Sequence, residues 1–463
     1  MWPVVGRRNR EPATSDTSSG SGDAVVESIR YGALDIAVID RFLQRWDDDG
    51  SGAHMDGSFY NPDFGGGTLY AQGWRYLGSV GNTSAAGITG KKATILVRGA
   101  NAADEMIKPP VRFDLIWNDR GSGAKRDGSV WRPIPPAGYV ALGDVFADFS
   151  WNAPNPAYYA CIRRELAGRR YVREGVIGSL IWNDRGSGSK SDVSIWEIRS
   201  PGYPSDNAER LLLGADLLRA HGSYDRPTDA VYVLDLPAVI AKQNPPAAPV
   251  LTSHAAPNPL ETDKVTDRAV VVPCTLIKHP GKDVAWQVAR SPFYTLERRV
   301  SFYCHKHYDN SQGSVEESAP QVVTTGVSKT KSDEFSQRTS VSVTASAGIA
   351  AKGFSASVET SFSIELGYTS RVDVTQFSEV QETWPMTVPP KKSAAMWSPR
   401  HEIIAIDKDG NTVGGLGGLV FDVNSRVKTE YPAPAQPQSL SEAIEAGDPQ
   451  PFGQTESNIP EGF

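Results

Sequence analysis

Three segments of this chain align without a gap: WDDDGSGAHMDGSFY from Trp46 to Tyr60, WNDRGSGAKRDGSVW from Trp117 to Trp131, and WNDRGSGSKSDVSIW from Trp182 to Trp196. The shared pattern is W-[DN]-D-x-G-S-G-x-x-x-D-x-S-x-aromatic. A repeat of this size cannot bury its own apolar face, so its copies must pack against one another around or along an axis. Each copy has the same grammar. A strand such as Phe113–Trp117 runs into an Asp-x-Gly-Ser-Gly turn, whose aspartate accepts backbone hydrogen bonds and whose glycines permit positive φ. A second strand follows and ends in an aromatic ring. The units continue as GWRYLGSV (Gly73–Val80), RPIPPAGYVALGDV (Arg132–Val145) and LLLGADLL (Leu211–Leu218). Three such units predict a pseudo-threefold β-prism.

The chain has 463 residues, too many for one ordinary core. With 43 Gly and 33 Pro, it favours a turn-rich, all-β architecture over helical bundles. A net charge of −7 argues against a nucleic-acid partner held through phosphate contacts. No apolar run approaches the ~18 residues of a membrane-spanning helix. The opening MWPVVGRRNREPATSDTSSGSGD lacks the apolar core of a conventional signal peptide. Cys161, Cys274 and Cys304 form no disulfide framework; three buried thiols are the expectation, with a Cys274–Cys304 bridge as the alternative. Cys304-His305-Lys306-His307 imitates a ligand cluster, but neighbours on a strand face opposite ways, so a surface strand end is expected and no metal.

The block LIWNDRGSGAKRDGSVWRPIPPAGYVALGDV (Leu115–Val145), with the lead-in ACIRRELAGRRYVREGVIGSLIW (Ala160–Trp182), resembles the vacuolar protein sorting-associated protein sixty-two family. The resemblance covers roughly Ser28 to Pro237 and implies a β-prism fold rather than a mechanism. Asp48, Asp119 and Asp184 recur in every unit, as do Asp56, Asp127 and Asp192. Structural turn residues would show this recurrence, and so would a polar cup for a sugar or for Ca²⁺. Asp47 to Gly50 imitates a calcium loop but lacks the bidentate Glu such a loop needs. Trp131 and Trp196 read as core.

The expected organisation is a disordered tail (1–27), the prism (28–237), a Pro-rich linker (238–266), a second β module (267–431) and an acidic tail (432–463). The last stretch has five acidic residues and no Lys or Arg. In the second module, strands are expected at Ala269–Leu276, Phe293–Cys304, Ala394–Ile406 and Gly418–Val427. At its centre the sequence alternates. Val341, Val343, Ala345, Ala347, Ile349, Phe354, Ala356, Val358, Phe362, Ile364 and Leu366 make an apolar set. Ser342, Thr344, Ser346, Ser355, Ser357, Glu359, Ser361, Ser363 and Glu365 make a polar one. Folded about Ala350, Ala351, Lys352 and Gly353, the two arms put apolar opposite apolar. The flanks, Val322–Thr339 and Ser370–Trp384, read as long Ser/Thr-rich strands.

This layout resembles the pore-forming module of aerolysin-like toxins, over about Ala269 to Tyr431. The resemblance implies an elongated β domain after the prism and a protein released from its producer to act on a target-cell membrane. The prism would bind a glycan or lipid receptor, copies would assemble as a homo-oligomer, and 341–366 would insert as a transmembrane β-barrel. The apolar set would then face lipid and the polar set the lumen, with 350–353 at the tip. Rings of Glu359 and Glu365 would favour cations. The alternative is a lectin-like or membrane-surface binding protein without a pore. An enzyme is not expected, and neither catalytic residues nor a cofactor are assigned. GNTSAAGITGKKAT (Gly81–Thr94) imitates a phosphate loop but lacks its first Gly and the Ser/Thr after the Lys. The Ser-x-x-Lys runs at Ser122 and Ser187 lie in the repeat turns.

Overall fold

The computed structural model describes residues 26–201, 209–344, 348–352, 359–360, 362–364, 378–415 and 417–433. Both expected tails lie almost entirely outside the described residues. The architecture is all-β, built of antiparallel sheets.

Each repeat forms a three-stranded sheet: Phe42–Asp47, Ser58–Pro62 and Val80–Asn82; then Arg112–Asn118, Ser129–Ile134 and Val145–Phe146; then Val176–Asn183, Ser194–Arg199 and Leu218–His221. The first strand of each breaks register immediately before its tryptophan, between Gln44 and Trp46, Leu115 and Trp117, Leu180 and Trp182. A bulge at that place bends the strand and re-aims the side chain. All three indoles therefore turn inward and meet edge to face. Their centroids are 5.4 Å apart for Trp46–Trp117, 5.2 Å for Trp46–Trp182 and 5.7 Å for Trp117–Trp182. A second set of sheets, one per unit, surrounds the larger core: Leu34–Ile39 with Thr94–Gly99, Tyr139–Val140 with Cys161–Arg163, and Glu209–Leu213 with Tyr232–Pro237.

The second half is organised by one sheet, in which Phe293–Asp309 lies between Val265–Pro273 and Ser393–Ile406. The central strand has 17 residues, roughly 55 Å at ~3.3 Å per residue. Leu419–Asp422 and Val427–Tyr431 add to the far strand. Phe293–Asp309 and Ser393–Ile406 contain the strands expected there, whereas the expected Ala269–Leu276 strand stops at Pro273 and the expected Gly418–Val427 strand is two, Leu419–Asp422 and Val427–Tyr431. The Cys-His-Lys-His run is different: it lies inside the long strand rather than at a surface end, with Cys304 buried and His305 bonded to Ser398 Oγ at 2.8 Å. All three cysteines are free and buried.

The Pro-rich stretch differs from a free linker. Ile240–Lys242 pairs with Val265–Pro273. Leu251 is buried beside Phe302 and Trp397, and the Cys304 N–H donates to Leu260 O at 2.8 Å. Proline-rich chain lacks donors but runs extended, so it can lie along a sheet that supplies them. The two halves also share a core: Tyr31, Leu34 and Ile36 cluster with Val270, Val272, Leu276 and Phe293, and the Tyr31 hydroxyl donates to Val271 O at 3.1 Å.

The flank before the alternating stretch is corrected. Gln321–Thr325 is a strand paired with Val380–Trp384, but Lys329–Thr339 is an α-helix. Lys, Glu, Gln and Arg tolerate helix well, and Ser332, Phe335 and Thr339 are its buried face, a 3.6-residue period. Serine and threonine at two of those positions hid that period.

Candidate functional site

The repeat turns close a ring at one end of the prism. In each turn a serine N–H returns to the aspartate carbonyl: Ser51 to Asp48 at 2.8 Å, Ser122 to Asp119 and Ser187 to Asp184 both at 2.9 Å. The two glycines of each turn hold positive φ, as Gly50 (84°) and Gly52 (77°) do in the first. Each unit then bonds to its neighbour. His54 N donates to Arg185 O at 2.8 Å, Lys125 N to Asp49 O at 2.9 Å, and Lys190 N to Arg120 O at 3.1 Å. The indoles repeat the circuit in the other direction. Trp46 Nε1 donates to Arg126 O at 3.2 Å, Trp117 Nε1 to Ser191 O at 2.9 Å and Trp182 Nε1 to Met55 O at 2.9 Å. Every link joins equivalent positions of successive units, and the third returns to the first.

Asp48, Asp119 and Asp184 are 8, 4 and 3% exposed. Asp48 Oδ1 accepts from Gly57 N at 3.0 Å and Asp184 Oδ1 from Val193 N at 2.9 Å. Asp119 accepts from Trp46 Nε1 at 3.1 Å and Trp151 Nε1 at 2.6 Å. Burial lifts the Asp48 and Asp184 carboxyls above their ordinary range. In this structure the three carboxylates hold turns and rings. Asp56, Asp127 and Asp192 are exposed, and Asp192 accepts from the Tyr224 hydroxyl at 3.0 Å. Aromatic rings at this end carry guanidinium groups: Arg120 over Trp151 at 4.3 Å, Arg126 over Phe149 at 4.5 Å and Arg185 over Tyr224 at 4.4 Å. A sugar stacking there would have to displace them. Trp131 and Trp196 are half-buried, each donating to the serine two residues before it at 2.8 Å. Among the described residues, no three His, Cys, Asp or Glu are grouped to hold a metal ion.

The alternating stretch is stored in pieces. Val341–Thr344 pairs with Gly348–Lys352, so that Val341 faces Ala351 and Val343 faces Ile349; Lys352 then faces Glu359. The structure thus differs from a single hairpin turning at Ala350, Ala351, Lys352 and Gly353: the first three lie in a strand. Both arrangements set apolar residues opposite apolar ones, because the alternation has period two and several registers satisfy it. Val341 and Val343 are buried against Phe335 of the helix, and the Ser332 hydroxyl donates to Val343 O at 2.6 Å. Phe362–Ile364 lies beside Gly348–Lys352 and pairs with Glu209–Leu213 of the third prism unit, Leu211 opposite Phe362 and Glu209 opposite Ile364. Ala345, Ser346, Ala347, Gly353, Phe354, Ser355, Ala356, Ser357, Val358, Ser361, Glu365 and Leu366 lie outside the described residues.

Comparison with known proteins finds separate matches in the two parts of the chain. Residues 11–218 match the family model described as vacuolar protein sorting-associated protein 62. Residues 270–389 match the one described as insecticidal crystal toxin, P42. Among solved structures, GNIP1Aa from Chromobacterium piscinae is 25% identical over 42% of this chain and 34% of its own, with a TM-score of 0.33. Cry35Ab1 is 12% identical over 74% of this chain and 91% of its own, with a TM-score of 0.27. The chain thus takes in about a third of GNIP1Aa. No curated protein matches.

The toxin match takes in the whole alternating stretch, the helix beneath it and the paired strands Gln321–Thr325 and Val380–Trp384. The other match ends at the first residue of Leu218–His221, the last strand of the third repeat sheet. Sequence reasoning missed the helix and the pairing of Phe362–Ile364 with the prism. No local signal encodes that pairing, since its partner lies about 150 residues earlier in the chain. Among the described residues, no helix is long and apolar enough to cross a membrane; this says nothing about a β-barrel.

Proposed function

We propose that this chain is a β-pore-forming toxin. Its prism binds a glycan or lipid receptor on a target cell, bound copies associate, and residues 341–366 re-pair between copies as a membrane-spanning barrel. The observation that carries this reading is the toxin-family match over 270–389, which encloses the alternating stretch. A lipid-spanning strand needs ~9–11 alternating residues and a closed ring of neighbours, which only an oligomer provides. The stored state supports the reading: Val341 and Val343 keep their apolar face in the core, away from water, until released. Release requires the 341–344 strand to leave its helix and Phe362–Ile364 to leave the prism. Such a protein acts outside its producing cell, without an enzymatic step or cofactor.

Dye release from liposomes and from insect cells tests this with the full chain. Leakage together with a heat-resistant oligomer on a gel is the expected result. Binding to cells with neither leakage nor oligomer would overturn the pore reading and leave a lectin-like binder.

A further inference from the structure

The segment Gly81–Thr94, which fails as a phosphate loop, forms one wall of a cavity of about 340 Å³. Its opposite wall is Thr275, in the short turn Cys274–Leu276 of the toxin module. The cavity therefore sits where the first prism unit meets the second half. The loop is held in advance of any ligand. Asn82 Nδ2 donates to Ser84 O at 2.9 Å and Ala86 O at 3.0 Å. Lys91 N and Lys92 N both return to Ile88 O, and Gly90 N reaches Asp40 O at 2.9 Å.

We infer that this cavity binds a monosaccharide unit carrying one carboxylate. Three observations carry the inference. First, Thr275 is 5% exposed, and its hydroxyl has no hydrogen-bond partner among the described residues. A buried polar group of this kind calls for a partner that the fold does not supply, and an occupant reaches it by parting the side chains that close over it. Second, the lining has a net positive charge. Lys92 Nζ is engaged by Asp216 Oδ2 at 3.1 Å and Gly81 O at 2.8 Å, while Lys91 is exposed with no acidic partner among the described residues. Third, Ile88, Ala86, Gly87 and Ala93 give an apolar patch beside these polar groups. That mixture matches the C–H face and the hydroxyl edge of a pyranose. The volume lies at the small end of the range for ligand sites, ~300–1,000 Å³. Among the described residues no aromatic ring lines it, so these offer a nucleotide base nothing to stack on.

This deepens the receptor-binding half of the proposed function and places recognition away from the repeat turns. An occupant would touch both halves of the molecule at once.

The test is ligand-observed NMR on the full chain with glucuronate, glucose and inorganic sulfate, in the absence of any membrane. Failure here leaves the pore reading standing, because no leakage is read. Glucuronate should bind, with glucose at least about tenfold weaker, as expected for loss of one charged contact. Lys91→Gln should weaken glucuronate by about tenfold, and the isosteric Thr275→Val by at least about threefold, with unchanged melting temperatures. Equal binding of glucuronate and glucose, no binding of glucuronate, or parental affinity in both variants would overturn the inference. So would sulfate binding as tightly as glucuronate, since the site would then hold an anion without a sugar. Two further arms separate the sources of the ligand. Retention on an immobilised uronate polymer, competed by glucuronate, supports a cell-surface glycan. Binding of free glucuronate without retention supports a soluble acidic sugar.

Discussion

Replacing Gly128 by Ala puts one methyl group against the indole at the threefold centre. A Cβ at Gly128 would lie 2.2 Å from Trp46 Cδ1 and 2.3 Å from its Nε1. Non-bonded carbons sit ~3.5–4.0 Å apart, so the ring must move by more than about 1 Å. It has little room. Trp46 is fully buried and packs against Trp117, Trp182, Phe59 and Phe146. Overpacking of this kind costs ~1–3 kcal/mol. Displacing Nε1 also strains its bonds to Asp119 Oδ2 and Arg126 O, and a hydrogen bond to a charged group is worth ~1.5–3 kcal/mol. The expected loss is therefore roughly 3–5 kcal/mol. Urea unfolding followed by tryptophan fluorescence and far-ultraviolet dichroism measures it. Gly222→Ala is the control, because a Cβ there meets nothing within 4 Å. Gly57→Ala should behave like Gly128→Ala, since its Cβ would lie 2.5 Å from Trp182 Cδ1. If Gly128→Ala falls within about 0.5 kcal/mol of the control, the closed indole ring does not hold the prism together.

Three further outcomes are expected. Burial, with Arg298 adding to it, holds the His401 imidazole down at about 3 against an ordinary 6.5. The unfolded chain takes up that proton near pH 6.5 and the folded chain only near pH 3, so stability falls as pH drops through this window, by up to about 1.4 kcal/mol per pH unit. His401→Leu should flatten the slope of urea midpoints against pH between those limits, and an unchanged slope would refute the assignment. Asp267 and Arg298 form a buried bidentate pair, with Nε to Oδ1 at 2.8 Å. Asp267→Asn leaves the guanidinium without its counter-charge, and calorimetry should show a loss of about 3–5 kcal/mol. Glu209→Cys with Ile364→Cys places two thiols on register-paired positions. On the pore reading, the oxidised form should release no dye and the reduced form should regain release; equal leakage in both states would show that this strand pair need not open.

Much of the prism was legible because its information is local and written three times. The Trp-to-Asp-to-Gly spacing fixes a strand and a turn within one short segment, and repetition then implies closure; the bulge before each tryptophan emerged only in the structure. The long strands of the second half were legible for the same kind of reason, since period-two alternation over many residues admits one backbone. The helix at Lys329–Thr339 was not, because its buried face uses Ser332 and Thr339, which carry no hydrophobic signal; packing against Val341 and Val343 chose helix.

By itself, then, the sequence determined the all-β class and the number of units in the prism. Tertiary structure decided the register of Val341–Thr344 on Gly348–Lys352, since alternation leaves several equally satisfied. It also decided that Phe362–Ile364 rests on the prism, that Leu251 lies on a sheet, and that Lys91 shares a cavity with Thr275. Each of these joins residues distant along the chain, and such contacts are set by how whole surfaces fit, which no local pattern encodes.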